Sequence, residues 1–240
     1  MRLPSSGWRL EVPPGPAGHY RLAQLDDYAI LPRRAFPWQA PFSLSLRARA
    51  AQGGMPGTWG FGLWNDPFAI SLGFGGGRRL PALPNAAWFF FASAPNYLSL
   101  RDDLPAQGGL AATFQSPRWP AVLLALGALG LPLLVLPPVA QIMRRLGRRI
   151  VKQDAVALKT DPTEWHAYGL EWGQGRVTFY MDGNPLLETG VAPLGPLGLV
   201  IWVDNQYAAW PPSGRFGFGA LANDQPAWIE IEEVAAERFA

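Results

Sequence analysis

Few residues in this 240-residue chain could do acid–base, nucleophilic or metal chemistry, and their spacing limits which. There is no Cys, and His19 and His166 are the only histidines. Thiolate catalysis and a disulfide framework are therefore excluded, and two distant His give no zinc-ligand spacing. Carboxylates remain. Asp66 ends the aromatic run Thr58–Asp66, and Asp204 ends Ile201-Trp202-Val203-Asp204. An acid among aromatic strand residues is costly unless hydrogen-bonded or functional. Each is thus a candidate for ligand contact, with capping of a loop's backbone N–H groups as the alternative. Period-2 alternation puts Gly60, Gly62, Trp64 and Asp66 on one face, where two glycines would leave space beside a Trp and an acid. Trp202 and Asp204 share a face, Asn205 and Gln206 follow at the strand end, and Trp210 lies just beyond. An aromatic platform with fixed amide or carboxylate partners is what sugar recognition requires. The candidate ligand-binding set is Trp64, Asp66, Trp202, Asp204, Asn205 and Trp210. With 11 Trp in the chain, core packing competes with ligand contact at each.

Other motifs carry less. His166 sits in an alternating hairpin and reads as a hydrogen-bonded strand residue. Phe74-Gly75-Gly76-Gly77-Arg78-Arg79 has no P-loop pattern and reads as a loop. No cofactor is expected; a structural calcium is possible, but no acidic cluster or motif demands it. A net charge of +2 is too small to argue for nucleic acid.

The elements that must position these residues are strands. Gly and Pro (27 and 25 residues) punctuate short apolar runs throughout, a distribution that helical bundles could not tolerate. Phe42–Arg49 alternates apolar and polar residues, as a half-buried strand does. Ala87–Ser93 is apolar on both faces. Further strands are expected at Trp165–Trp172, Arg176–Asp182, Leu197–Asp204 and Ala227–Val234. Asp182-Gly183 suits a type I′ hairpin turn. The whole chain, 1–240, reads as one all-β domain.

Residues 116–152 interrupt this pattern. Trp119 to Met143 contains no charge, and Arg144, Arg145, Arg148, Arg149 and Lys152 follow directly. About 20 apolar residues suffice to cross a bilayer, but Pro132, Pro137 and Pro138 break the run. If the flanking strands share one sandwich, both flanks lie on one side and a single crossing is forbidden. An interfacial segment is allowed, with Trp119, Leu123, Leu126, Leu133, Leu136, Arg144, Arg145, Arg148 and Arg149 as membrane contacts. Helical spacing predicts Ile142, Leu146, Ile150 and Val151 on one face and the arginines on the other. Packing on the domain itself, or on a second copy, is the alternative.

Trp165-His166-Ala167-Tyr168-Gly169-Leu170-Glu171-Trp172, with Arg176-Val177-Thr178-Phe179-Tyr180-Met181-Asp182-Gly183, resembles a strand pair of the concanavalin A-like lectin/glucanase superfamily, especially family 16 glycoside hydrolases. Leu197–Trp210, Trp228–Val234 and Arg47–Asp66 resemble other strands of that family. The resemblance implies a jelly-roll β-sandwich of two antiparallel sheets. It also implies that catalysis would require a Glu-x-Asp-x-x-Glu pattern on a concave-face strand. By chain order that strand is Ala86–Ser93, which contains no acid. The expected function is a non-catalytic, membrane-associated module that binds a glycan or another small ligand. The alternatives are a glycoside hydrolase with unusual carboxylates and an assembly scaffold without a small ligand. No signal-peptide pattern is seen at Met1–Trp8, which gives an expectation of a cytoplasmic protein peripheral to the inner membrane face.

Overall fold

The computed structural model describes residues 7–67, 79–128 and 130–239. Met1–Ser6 and the glycine run Phe74–Arg78 lie outside them. The strands are β1 (Trp8–Val12), β2 (Leu22–Asp26), β3 (Phe42–Ala50), β4 (Thr58–Trp64), β5 (Ala86–Ala92) and β6 (Gly108–Gln115). Helices α1 (Ala121–Ala128) and α2 (Pro137–Ile150) come next. The chain continues through β7 (Lys152–Leu158), β8 (His166–Gly173), β9 (Arg176–Met181), β10 (Asn184–Thr189) and β11 (Gly198–Asp204). It ends with β12 (Gln206–Ala209), β13 (Gly217–Ala220) and β14 (Ala227–Glu237).

Two six-stranded antiparallel sheets stack face to face, in the orders β1-β14-β3-β8-β9-β10 and β2-β11-β4-β5-β6-β7. The alternation of β3 assigns its faces. Phe42, Leu44, Leu46 and Ala48 point into the core, where they meet Phe61, Phe89 and Ile201 of the other sheet. Arg47 and Arg49 point outward and pair with Glu232 and Glu230 on β14. The Asp182-Gly183 turn between β9 and β10 has positive φ at both residues (51° and 78°), as a type I′ hairpin requires.

The second sheet is apolar on both faces. Trp59, Phe61 and Leu63 of β4 enter the inter-sheet core, as do Phe89 and Phe91 of β5. Trp64, Ala86, Trp88, Phe90, Leu110, Phe114, Val200 and Trp202 form a second apolar cluster on the opposite, outward face. Tyr28, Leu31 and Phe36 roof that cluster from one side, with Leu100, Leu104 and Val151 from the other.

The 116–152 segment leaves at the end of β6 and returns at the start of β7. Those two strands are neighbours, with Gln115 opposite Lys152. Two α-helices with a short 3-10 helix (Leu131–Val135) between them fill it, because Pro132, Pro137 and Pro138 interrupt the backbone hydrogen-bond ladder. The face expected of α2 is corrected by the structure. Ala140, Arg144 and Val151 are buried against the domain, whereas Ile142, Met143 and Leu146 are exposed. Arg144 lies inward because carbonyls are waiting for it: Nη1 donates to Ser99 O (3.0 Å) and Trp210 O (2.6 Å). Its Nη2 donates to Asp102 Oδ1 at 2.9 Å.

Candidate functional site

The space expected over the glycines of β4 is occupied. A Cβ on Gly60 would stand 2.8 Å from the Trp202 ring, and one on Gly62 would stand 2.7 Å from Trp88 Cβ. The glycines therefore admit tryptophans from neighbouring strands rather than a ligand. Trp88 is the hub, with ring centroids 5.7 Å from Trp202, 5.8 Å from Phe90, 5.9 Å from Phe114 and 6.0 Å from Trp64. Trp64 and Trp88 stay half-buried, while Trp202 and Phe90 are buried.

Asp204 lies on the same face at the far end of β11. Its Oδ1 accepts hydrogen bonds from Thr58 N (3.2 Å), Thr58 Oγ1 (2.9 Å) and Gln206 N (3.1 Å), and Oδ2 accepts one from Tyr20 OH (3.4 Å). Trp202 Nε1 donates to the same Thr58 hydroxyl at 3.0 Å, tying the aromatic cluster to the acid. Desolvation by burial drives the Asp204 pKa up to about 7, against the opposing pull of its Thr58 and Gln206 donors. This is loop capping made from a carboxylate, with the acid held near its titration point.

The remaining proposed ligand residues do not converge on an open surface. Asp66 follows β4 with φ 47°, is buried, and is ion-paired with Arg79. Arg79 also donates to Leu31 O, Tyr28 O and Ala29 O, so this pair fastens the 27–36 roof. Asn205 is fully buried; it accepts from Arg21 N and donates to His19 O and Leu221 O. The Trp210 indole donates to Ala140 O and docks α2. Sequence reasoning missed Thr58, Tyr20 and Arg79 as partners, because the contacts join segments far apart in the chain and no local pattern announces them.

On the outward face, β5 presents Ala86, Trp88, Phe90 and Ala92, with no carboxylate. Asp26 and Asp204 share this face on adjacent strands. The register pairs Asp26 with Val200 and Leu22 with Asp204, so the two acids are four residues apart, roughly 13 Å. Retaining glycosidases need about 5–5.5 Å and inverting ones about 6.5–9.5 Å. His166 is a strap: Nδ1 meets Asp182 Oδ2 at 2.7 Å, and Nε2 meets Thr160 Oγ1 at 2.6 Å. Asp182 Oδ1 also accepts Ala167 N at 2.9 Å, closing the β8–β9 hairpin. Among the described residues no group of acids and histidines is arranged to hold a metal.

The insertion differs in character. Trp119, Val122, Leu123, Leu126, Leu133, Val135 and Leu136 are all exposed, Val135 to 75% and Val122 to 65%. Of the nine predicted membrane contacts, only Arg144 is buried, at 3% exposure. Arg148 is exposed but ion-paired with Asp102, and Arg145 and Arg149 are exposed.

These features define an antiparallel jelly-roll β-sandwich of the concanavalin-like type. Among solved structures, the chain is similar to the κ-carrageenase of Pseudoalteromonas carrageenovora, solved in complex with an oligotetrasaccharide of κ-carrageenan. That match covers 98% of this chain and 80% of that one, at 11% identity and a TM-score of 0.53. The laminarinase catalytic domain of Thermotoga maritima MSB8 matches over 99% and 80% at 10% identity, TM-score 0.47. LamAcat of Zobellia galactanivorans matches over 90% and 68% at 12% identity, TM-score 0.46. At 11% identity the likeness to the κ-carrageenase is one of fold alone. No family model matches the sequence, and no curated protein matches it.

Proposed function

We propose that this chain is a non-catalytic jelly-roll module that docks on an anionic membrane surface through its β6–β7 insertion. The observation that carries this reading is the exposed apolar surface of that insertion beside its basic residues. A soluble monomer rarely leaves a large contiguous apolar patch in water. Here Leu123, Leu126, Leu133, Leu136, Ile142 and Leu146 remain exposed although α2 is held by Arg144 and Trp210. Among the described residues no helix is long and apolar enough to cross a membrane. At about 1.5 Å per residue, the eight residues of α1 span roughly 12 Å of a hydrocarbon core about 30 Å thick. Both ends also return to paired strands, which suits a segment lying in the interface. Arg118, Arg145, Arg149 and Lys152 add attraction to acidic headgroups. The filled β5 face and the separation of Asp26 from Asp204 support the absence of glycosidase chemistry.

The test is flotation with phosphatidylcholine vesicles, with and without phosphatidylglycerol. The intact chain should float with the mixed vesicles, and a Leu123→Asp/Leu133→Asp/Leu146→Asp variant should stay in solution. Equal behaviour of the two proteins defeats the proposal.

A second reading rests on Trp64 and Trp88, whose half-buried rings 6.0 Å apart leave some aromatic surface for a glycan. Titration with laminarin and carrageenan oligosaccharides decides it, and reducing-sugar release from the same polymers tests for hydrolysis.

A further inference from the structure

At one end of the sandwich, away from the aromatic face, an open cavity of about 270 Å³ lies where the insertion begins. Its walls come from four places: Gln39 and Ala40 before β3, the end of β6 with Arg118, the β8–β9 turn, and the 192–195 segment before β11. Three of these walls carry polar side chains: Gln39, Gln115 with Arg118, and Gln174. Among the described residues the lining contains no acid. Trp172, Pro193 and Leu194 supply apolar surface beside them. Arg118 is exposed and forms no salt bridge among the described residues. One arginine cation and three primary amides, with no carboxylate among the described lining residues, favour a small anion. A guanidinium fork suits the oxygens of phosphate in particular.

The position matters as much as the composition. Arg118 immediately precedes Trp119 and α1, the start of the exposed apolar insertion. Trp is favoured at the boundary between headgroups and hydrocarbon. An insertion lying in the interface would thus hold the cavity mouth at headgroup depth. We propose that this cavity binds a phosphate-bearing polar group, with Arg118 taking the anion and Gln39, Gln115 and Gln174 hydrogen-bonding around it. The occupant favoured by its position is the headgroup of an anionic phospholipid, and that part rests on the membrane reading above.

Two measurements on the full chain separate the claims. In solution, calorimetric titration with sn-glycerol 1-phosphate and with inorganic phosphate should give saturable binding. Arg118→Gln should weaken it roughly tenfold, the loss of one charge-assisted hydrogen bond. On vesicles, Arg118→Gln should still float but lose most of the preference for phosphatidylglycerol over phosphatidylcholine. Wild-type protein that floats yet binds neither soluble phosphate overturns the cavity proposal and leaves membrane docking intact. Saturable, Arg118-dependent binding in solution by a protein that ignores vesicles supports the cavity, assigns it to a free phosphate compound and overturns membrane docking. An Arg118→Gln protein that behaves as wild type in both measurements overturns the cavity proposal outright.

Discussion

Gln115 and Lys152 face each other across β6 and β7, although all of 116–151 lies between them in sequence. Opposite residues in an antiparallel pair have Cα atoms about 4.5–5.5 Å apart. The insertion is therefore an excursion from a closed hairpin, and the sheet does not depend on it for register. Replacing 116–151 by a short glycine-containing turn should leave a folded sandwich that no longer floats with acidic vesicles. Near-UV circular dichroism checks the fold and flotation checks the docking. Loss of the native near-UV signal would show that the insertion is part of the folding core.

Arg144 and its neighbour Arg145 should behave in opposite ways. Arg144 is buried and bonds two backbone carbonyls and Asp102, whereas Arg145 is exposed. Arg144→Ala should cost about 2–4 kcal/mol, since it leaves Ser99 O and Trp210 O without their charged donor and opens a space under α2. Arg145→Ala should change stability by less than about 0.5 kcal/mol while weakening vesicle binding. Urea unfolding of both variants, read beside flotation, checks the contrast.

How much of this was legible in the sequence depends on the range of the interaction. The alternation of Phe42–Arg49 and the Asp182-Gly183 turn are local, and both predict what the structure contains. The apolar run of β5 shows burial on both faces, but not that its outward face would be filled by Trp88 and Phe90 under a roof from 27–36. Glycines at 60 and 62 are consistent with an open cleft or with room for another strand's tryptophans. Only the pairing of β4 with β5 and β11 decides between them. Helical periodicity sorts charge from apolar residues and so places Arg144 on the outward face, opposite to where it lies. Periodicity cannot anticipate carbonyls presented by Ser99 and Trp210.

The aromatic face should respond to truncation as a core does. Trp202→Ala removes a buried ring and the indole donor to Thr58, so a loss of about 3–5 kcal/mol is expected. Trp88→Ala should also destabilise, although the ring is half-buried, because four aromatic neighbours lose their common contact. Gly60→Ala should be poorly tolerated, since its Cβ would lie 2.2 Å from Phe89 O. Thermal unfolding measures all three. A Trp202→Ala protein as stable as wild type would mean that this face is open to solvent.

Asp204 gives the fold a pH dependence with a defined sign. Burial raises its pKa to about 7 in the folded chain, well above the usual carboxylate value of 3.8 that the unfolded chain would show. Between those values the folded state holds a proton that the unfolded state has released, so this group's contribution to stability falls as pH rises. The slope from this one carboxyl is at most about 1.4 kcal/mol per pH unit and flattens above its folded pKa. Asp204→Asn keeps an oxygen acceptor for Thr58 but removes the titration. Urea-unfolding free energies of both proteins from pH 4 to pH 8 should thus show a difference that changes steadily across that window, with wild type losing relative stability toward neutral pH. Parallel curves for the two proteins would mean that Asp204 is ionised throughout, its four donors outweighing its desolvation.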